Sequence, residues 1–218
     1  MDPENQALLV KGAKRFGISL DEKITKDFDL YLKELFKWNQ KINLTAIRTE
    51  EGVVLKHFLD SLSVHPYLLG TCRLLDMGSG AGFPGIPLKM VEPSLEVTLM
   101  DSVRKKVDFQ RHLIRTLGLK GIEAIHGRAQ DREVIQTLEG RFDAVISRAF
   151  SDLRTFLSLS NPFLGERGRV LAMKGEMKDQ DLRLVPDRER GRYRLQTSTA
   201  FVLPFTTFKR AILIFEKQ

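Results

Sequence analysis

The sequence predicts an α/β fold: a mostly parallel seven-stranded sheet closed by a terminal antiparallel hairpin, with an N-terminal helical extension. Three observations carry this. From Cys72 onward, short apolar runs alternate with amphipathic stretches, which implies parallel strands with helices on both faces. Before Thr71 the apolar spacing is helical instead. Between the last two runs only PFTTF intervenes, too short for a crossover helix, so the final strand should pair antiparallel with its predecessor.

In chain order, Phe28, Leu32, Leu35 and Phe36 share one face of a helix expected to end near Trp38 and Asn39. A further helix is expected from about Glu50 to Leu69, carrying Val53, Val54, Phe58, Leu59 and Leu62 and stopping at Pro66 or Gly70. The strands then read CRLLDMG, LEVTLMD, IEAIHG, FDAVISRAF, RVLAMKG, YRLQTSTAFVLP and KRAILIFEKQ. This divides the chain into a helical lobe over residues 1–70 and a sheet domain over residues 71–218.

At 218 residues and 42% hydrophobic, the chain suffices for one well-buried core plus a small appendage. Lys and Arg total 35 against 28 Asp and Glu, and the net charge of +7 favours a polyanionic partner. A single cysteine, Cys72, excludes an intrachain disulfide, and with four scattered histidines it excludes a Cys/His zinc site of the usual spacing, so no metal is expected. Cys72 itself is expected to pack as a small apolar residue. Charges interrupt the opening MDPENQALLVKGAKRF where a secretory signal needs an apolar core, and no run reaches the ~20 apolar residues of a membrane span. A monomer in a reducing cytoplasm is the expectation.

The first strand leads into Asp76-Met77-Gly78-Ser79-Gly80-Ala81-Gly82-Phe83-Pro84-Gly85, with a helix opening at about Pro84. Four glycines in eight residues let the backbone turn sharply and approach a ligand closely. Two ligands compete for such a loop. Gly80, Gly82 and Gly85 satisfy the dinucleotide fingerprint, with Asp101 at a distance suited to a ribose. Asp76 at the strand end, Gly78 two residues later and the terminal hairpin favour S-adenosyl-L-methionine instead, because an acid suits a cationic methionine end and repels a pyrophosphate. Parallel strands followed by one terminal hairpin resemble the Rossmann-like class I methyltransferases.

Further candidates sit at the other strand ends. Asp101 is either a ribose acceptor or the N-cap of the helix that follows. Gly127-Arg128-Ala129-Gln130-Asp131 falls where an adenine edge would lie, either as its binding turn or as a solvated one. Arg148 follows the FDAVIS strand, either anchoring cofactor or phosphate or pairing with a strand-end carboxylate such as Asp76. His57, Asp60 and Ser61 lie near one helical face, favouring a lobe-to-sheet contact or a cap over substrate contact.

Taken together, WNQKINLTAI, HFLDSLSV, LLDMGSGAGFPGIPL, DSVRKKVDF, VISRAF and MKG resemble the small-subunit ribosomal RNA guanine-N7 methyltransferases, the glucose-inhibited division protein B family. The resemblance runs from Trp38 to about Gly175. It implies S-adenosyl-L-methionine as cofactor and small-subunit ribosomal RNA, free or in a particle, as partner. By position it implies cofactor contacts at Gly78, Phe83 and Arg148, a ribose-side role for Asp101 and adenine-side roles for Ala129 and Gln130. The family commonly carries an acid where Gln130 stands, and the amide oxygen remains an acceptor.

Methylation of guanine N7 requires no general base, because N7 offers a lone pair with no proton to remove; no catalytic base is nominated. Candidates for holding RNA are Lys33, Lys37, Lys41 and Arg48, then Arg104, Lys105 and Lys106, then Arg188, Arg190, Arg192 and Arg194. Lys174 and Gly175 end the fifth strand with no assigned role.

Overall fold

The structure, a computed structural model, describes residues 1–148, 150, 152–176 and 191–218. Arg188 and Arg190 lie outside the described residues.

Each N-terminal helix begins at a side chain that satisfies its free amides. Asp2 caps α1 (Pro3–Lys14), and Asp21 caps α2 (Glu22–Ile42) by accepting the Ile24 N–H at 2.7 Å. Helix α2 runs one turn beyond the expected end at Asn39, closing at Asn43 in the left-handed conformation (φ 45°). Asn39 is buried, and its amide group both donates to and accepts from the Thr45 backbone, folding the next segment back onto the helix. The helix expected over 50–69 is instead composite. It comprises α3 (Glu50–Val53), a π-helical stretch (Val54–Leu59), α4 (Asp60–Leu62) and a 3-10 turn (His65–Tyr67). The widened turn keeps Val53, Val54, Phe58, Leu59 and Leu62 in the core while turning His57 and Asp60 toward the sheet.

All seven strands form: β1 (Arg73–Met77), β2 (Glu96–Asp101), β3 (Ile122–His126), β4 (Phe142–Ser147), β5 (Leu164–Lys174), β6 (Tyr193–Val202) and β7 (Lys209–Lys217). The helices between them are α5 (Gly85–Val91), α6 (Arg104–Thr116), α7 (Arg132–Leu138) and α8 (Leu153–Ser160). The strand order is β3-β2-β1-β4-β5-β7-β6. Strands β1 to β5 pair in parallel, and β7 runs antiparallel to both β5 and β6. The chain starts at β1, moves outward to β3 and returns to the other side of β1 at β4. Such a reversal leaves a crevice outside the carboxyl ends of the strands.

Burial explains why β7 is inserted. Its run Ala211–Phe215 is buried throughout, as an internal strand requires, whereas β6 is exposed or half-buried beyond Tyr193, as suits an edge. Lobe and sheet share one apolar cluster: Leu9, Phe28, Tyr31 and Phe58 pack with Leu74, Ile86 and Leu99. Cys72 is exposed rather than packed, because it precedes β1 at the sheet's rim, where its backbone gives its N–H to Asp143 and accepts that of Glu96.

Candidate functional site

The glycine-rich turn after β1 is fixed from four directions. Gly78, Gly80 and Gly82 have φ of 77°, 60° and 94°, a region costly for any residue with a Cβ. From below, Asp76 Oδ2 accepts the Gly85 N–H at 2.8 Å. From β2, the Met100 carbonyl accepts Gly78 and Ser79, and Asp101 Oδ2 accepts Gly80 at 2.8 Å. From α6, Gln110 Nε2 donates to Ser79 Oγ and to the Gly80 carbonyl. From the helical lobe, the Tyr31 hydroxyl donates to the Ala81 carbonyl at 2.6 Å. A helix opens at Gly85, one residue beyond the expected Pro84.

This architecture discriminates between the two ligands. A pyrophosphate-binding loop must offer free backbone N–H groups to the anion. Here the N–H groups of Gly82 and Phe83 both go to the Ser79 carbonyl, and those of Gly78, Ser79, Gly80 and Gly85 go to the partners above. Of the two acids at the loop, Asp101 borders the neighbouring cavity and Asp76 lies beneath the turn. Asp76 is fully buried, and burial pushes its carboxyl up to about 7 against the Gly85 N–H bond and the nearby Arg148 charge. Its Oδ1 is buried with no hydrogen-bond partner among the described residues, as is Gln110 Oε1.

Beside the loop lies a cavity of about 390 Å³ over the ends of β1 to β3. Four of the six expected cofactor residues line it: Gly78, Asp101, Ala129 and Gln130, together with Met77, Met100, Ser102 and Phe150. Asp101 does not settle into one role. Oδ2 ties down Gly80, while Oδ1 accepts the Val103 N–H just ahead of α6, so Asp101 is not the N-cap: that position is Val103, and no side chain caps the helix. Ala129 and Gln130 project from a turn closed by Asp131 on the Arg128 N–H.

Phe83 and Arg148 stand elsewhere, in the seam between lobe and sheet. The Phe83 ring is buried, stacked on Tyr31 (5.1 Å) and on His57 (4.5 Å), with the Arg148 guanidinium over it at 5.2 Å. Arg148 donates to the Lys56 carbonyl (3.1 Å) and to His57 Nδ1 (3.0 Å), and pairs with Asp60 at 3.5 Å. Asp76, the carboxylate suggested by its position, instead faces Gly85. Because a guanidinium only donates, His57 Nδ1 must accept and Nε2 carries the proton toward Thr45 Oγ1 at 2.7 Å. Burial, then the Arg148 charge, pulls this imidazole down to about 3, so it stays neutral. Asp60 also binds Arg210 Nε on β7 at 2.7 Å. The HFLDSLSV motif thus makes the lobe-to-sheet contact that its spacing favours.

A second cavity, about 310 Å³, opens beside Arg148. Lys56, Arg148, Lys174 and Arg210 line it, with Asp60 as its acid. Among the basic residues singled out by position, Lys33 is held by Asp29, Lys37 by Glu34 and Arg194 by Glu216. Tyr31 and Gln110, which hold the loop, carry no sequence signature. Lys56 and Arg210 carry no local signal of the cavity they share, because more than 150 residues separate them in the chain.

A profile described as "rRNA small subunit methyltransferase G", the GidB family, matches residues 24–205. The chain belongs to this family. A relative of that name from Geobacter metallireducens is 41% identical over 219 residues, covering 100% of this chain and 99% of the relative. One from Geobacter sp. (strain M21) is 45% identical over 181 residues, covering 83% and 82%. One from Streptococcus pyogenes is 44% identical, covering 76% and 71%. Solved structures share the fold of this GidB-family chain at low identity. A predicted O-methyltransferase from Agrobacterium tumefaciens superposes with TM-score 0.55 at 18% identity, covering 67% of this chain and 74% of that one. M. jannaschii TYW2 in complex with AdoMet gives 0.51 at 18%, covering 67% and 69%. The mostly parallel sheet with its antiparallel C-terminal strands is therefore the Rossmann-like class I methyltransferase fold.

Proposed function

We propose that this protein binds S-adenosyl-L-methionine in the 390 Å³ cavity and transfers its methyl group to N7 of a guanine in small-subunit ribosomal RNA. The observation that carries the cofactor reading is the engaged loop: six of its amides are turned inward and the acid at the cavity is Asp101, which suits a cationic nucleoside and not a pyrophosphate. Membership of the family and the names of its relatives support the ribosomal substrate. When bound, the cofactor supplies a methyl carbon activated by a positive sulfur.

In this reading Gly78 lets the backbone pass close to the ligand, Asp101 accepts from ribose hydroxyls with its remaining lone pairs, and Ala129 and Gln130 border the adenine. Phe83 acts through its backbone, and Arg148 forms the wall between cofactor and acceptor base. Neutral guanine N7 attacks without losing a proton, so these residues orient, exclude water and hold charge rather than exchange protons. Residues 1–70 serve as an extension that holds the loop through Tyr31. The net charge of +7 suits an RNA surface, and the protein acts as a cytoplasmic monomer without a metal; no helix among the described residues is long and apolar enough to cross a membrane.

The test is transfer of labelled methyl to ribosomal particles lacking the modification, with mass-spectrometric mapping of the product. Label on N7 of one small-subunit guanine is expected. No transfer to any RNA, or binding of NADH in preference to S-adenosylhomocysteine, would overturn the reading.

A further inference from the structure

The tip of the β6–β7 hairpin carries chemistry that methyl transfer leaves unused. Residues Leu203 to Phe208 form a tight loop closed by Thr206, whose N–H and hydroxyl both donate to the Leu203 carbonyl and whose Oγ1 accepts the Phe208 N–H at 3.0 Å. This locked turn presents Phe205, which is 46% exposed and has φ of 63°. A bulky residue held in the left-handed region and turned to solvent is a strained and wasteful arrangement for folding alone.

Cations surround the two rings. The Lys56 ammonium lies 4.5 Å from the Phe208 centroid, the Arg210 guanidinium 5.9 Å from the same ring, and the Arg15 guanidinium 5.0 Å from Phe205. Phe205, Phe208 and Lys56 line a groove of about 660 Å³ whose acid is Glu51. Lys56 also borders the basic cavity beside Arg148, so one side chain lines both spaces.

We infer that this aromatic hairpin tip is a stacking subsite for single-stranded RNA, holding a nucleotide that flanks the methylated guanine while Lys56 and Arg210 neutralise its phosphate. Aromatic rings and guanidinium planes offer every base a π-face, and neighbouring cations supply the backbone term; a rigid turn lowers the ordering cost. The inference rests on the RNA-methylating reading above.

The experiment measures anisotropy of a fluorescein-labelled single-stranded RNA with the full chain, alongside methyl transfer to unmodified particles and titration with S-adenosylhomocysteine. Phe205→Ala should weaken RNA binding about tenfold and raise KM for particles more than it lowers kcat, with affinity for S-adenosylhomocysteine unchanged. Phe205→Trp should retain RNA affinity and add fluorescence that RNA quenches. Lys56→Gln should lower the slope of log affinity against log salt by about 0.7. Undiminished RNA affinity in Phe205→Ala and an unaltered salt slope in Lys56→Gln, with wild-type transfer intact, would overturn the subsite. Failure of wild-type transfer to any RNA would remove the parent reading and the subsite with it.

Discussion

Replacing Asp76 by Asn separates charge from shape at the centre of the site. The carboxyl is fully buried under the glycine loop, with Oδ2 on the Gly85 N–H, and burial raises it from 3.8 to about 7. The native state therefore holds this proton more tightly than the unfolded chain does. Stability from that difference is complete below about pH 3.8, declines as pH rises, and is gone above about 7. At about 1.4 kcal/mol per tenfold step in acidity, the gap sets a ceiling of about 4 kcal/mol. Asn keeps an acceptor for Gly85 without a charge, so the variant should match wild type near about pH 4 and exceed it by about 2–4 kcal/mol near about pH 8. His57 acts oppositely, since its lowered value of about 3 yields stability that is present above about 6.5 and lost on acidification. That contribution is common to both proteins and cancels in the difference. Urea unfolding of the ligand-free proteins across this range is the assay. A difference that stays constant with pH, or grows toward acid, would refute the burial argument.

Other outcomes follow from the same geometry. Gly78→Asp should abolish S-adenosylhomocysteine binding by calorimetry while costing only about 1–2 kcal/mol of stability from its positive φ; unchanged affinity would refute the placement of the ligand. Tyr31→Phe leaves the Ala81 carbonyl without its buried donor and should cost about 1–3 kcal/mol in thermal unfolding. Asp60→Ala strips the shared acid from Arg148 and Arg210 and should destabilise by about 3 kcal/mol, visible as a lowered urea midpoint. Gly85→Ala would set a Cβ 2.4 Å from Leu99 Cδ2 and 2.9 Å from Asp76 Oδ2, costing about 1–3 kcal/mol by the same measurement.

The strands were legible because each is a short apolar run bounded by turn residues, and the loop because four glycines in eight residues have no other economical use. The insertion of β7 between β5 and β6 went unread although its signal was present: AILIF is apolar without interruption, while QTSTAF mixes polar and apolar residues. The continuous helix over 50–69 was misjudged because apolar spacing does not register a widened turn, and Val54–Leu59 is a π-helical stretch. Gly78, Asp101, Ala129 and Gln130 line one cavity because they stand at or just after strand ends that the topology brings to one edge. Phe83 and Arg148 did not join them. Their environment depends on His57 and Asp60, more than eighty residues from Arg148 in the chain, and no local pattern encodes that contact. Lys33 and Lys37 were weaker candidates than their charge suggests, because acids at Asp29 and Glu34 already lay within helical reach.

The two cavities draw on opposite halves of the sheet, one over the ends of β1 to β3 and the other over β5 and β7, and they share no lining residue. A substitution in the lining of one therefore leaves every lining residue of the other unchanged. On the proposed assignment of cofactor and RNA to separate surfaces, a protein crippled at Gly78 would still occupy its ribosomal target without modifying it, and so would act as a competitor of the intact enzyme in the same cell. Loss of the gene and loss of the glycine would then differ in consequence, the second suppressing methylation even where a working copy is present.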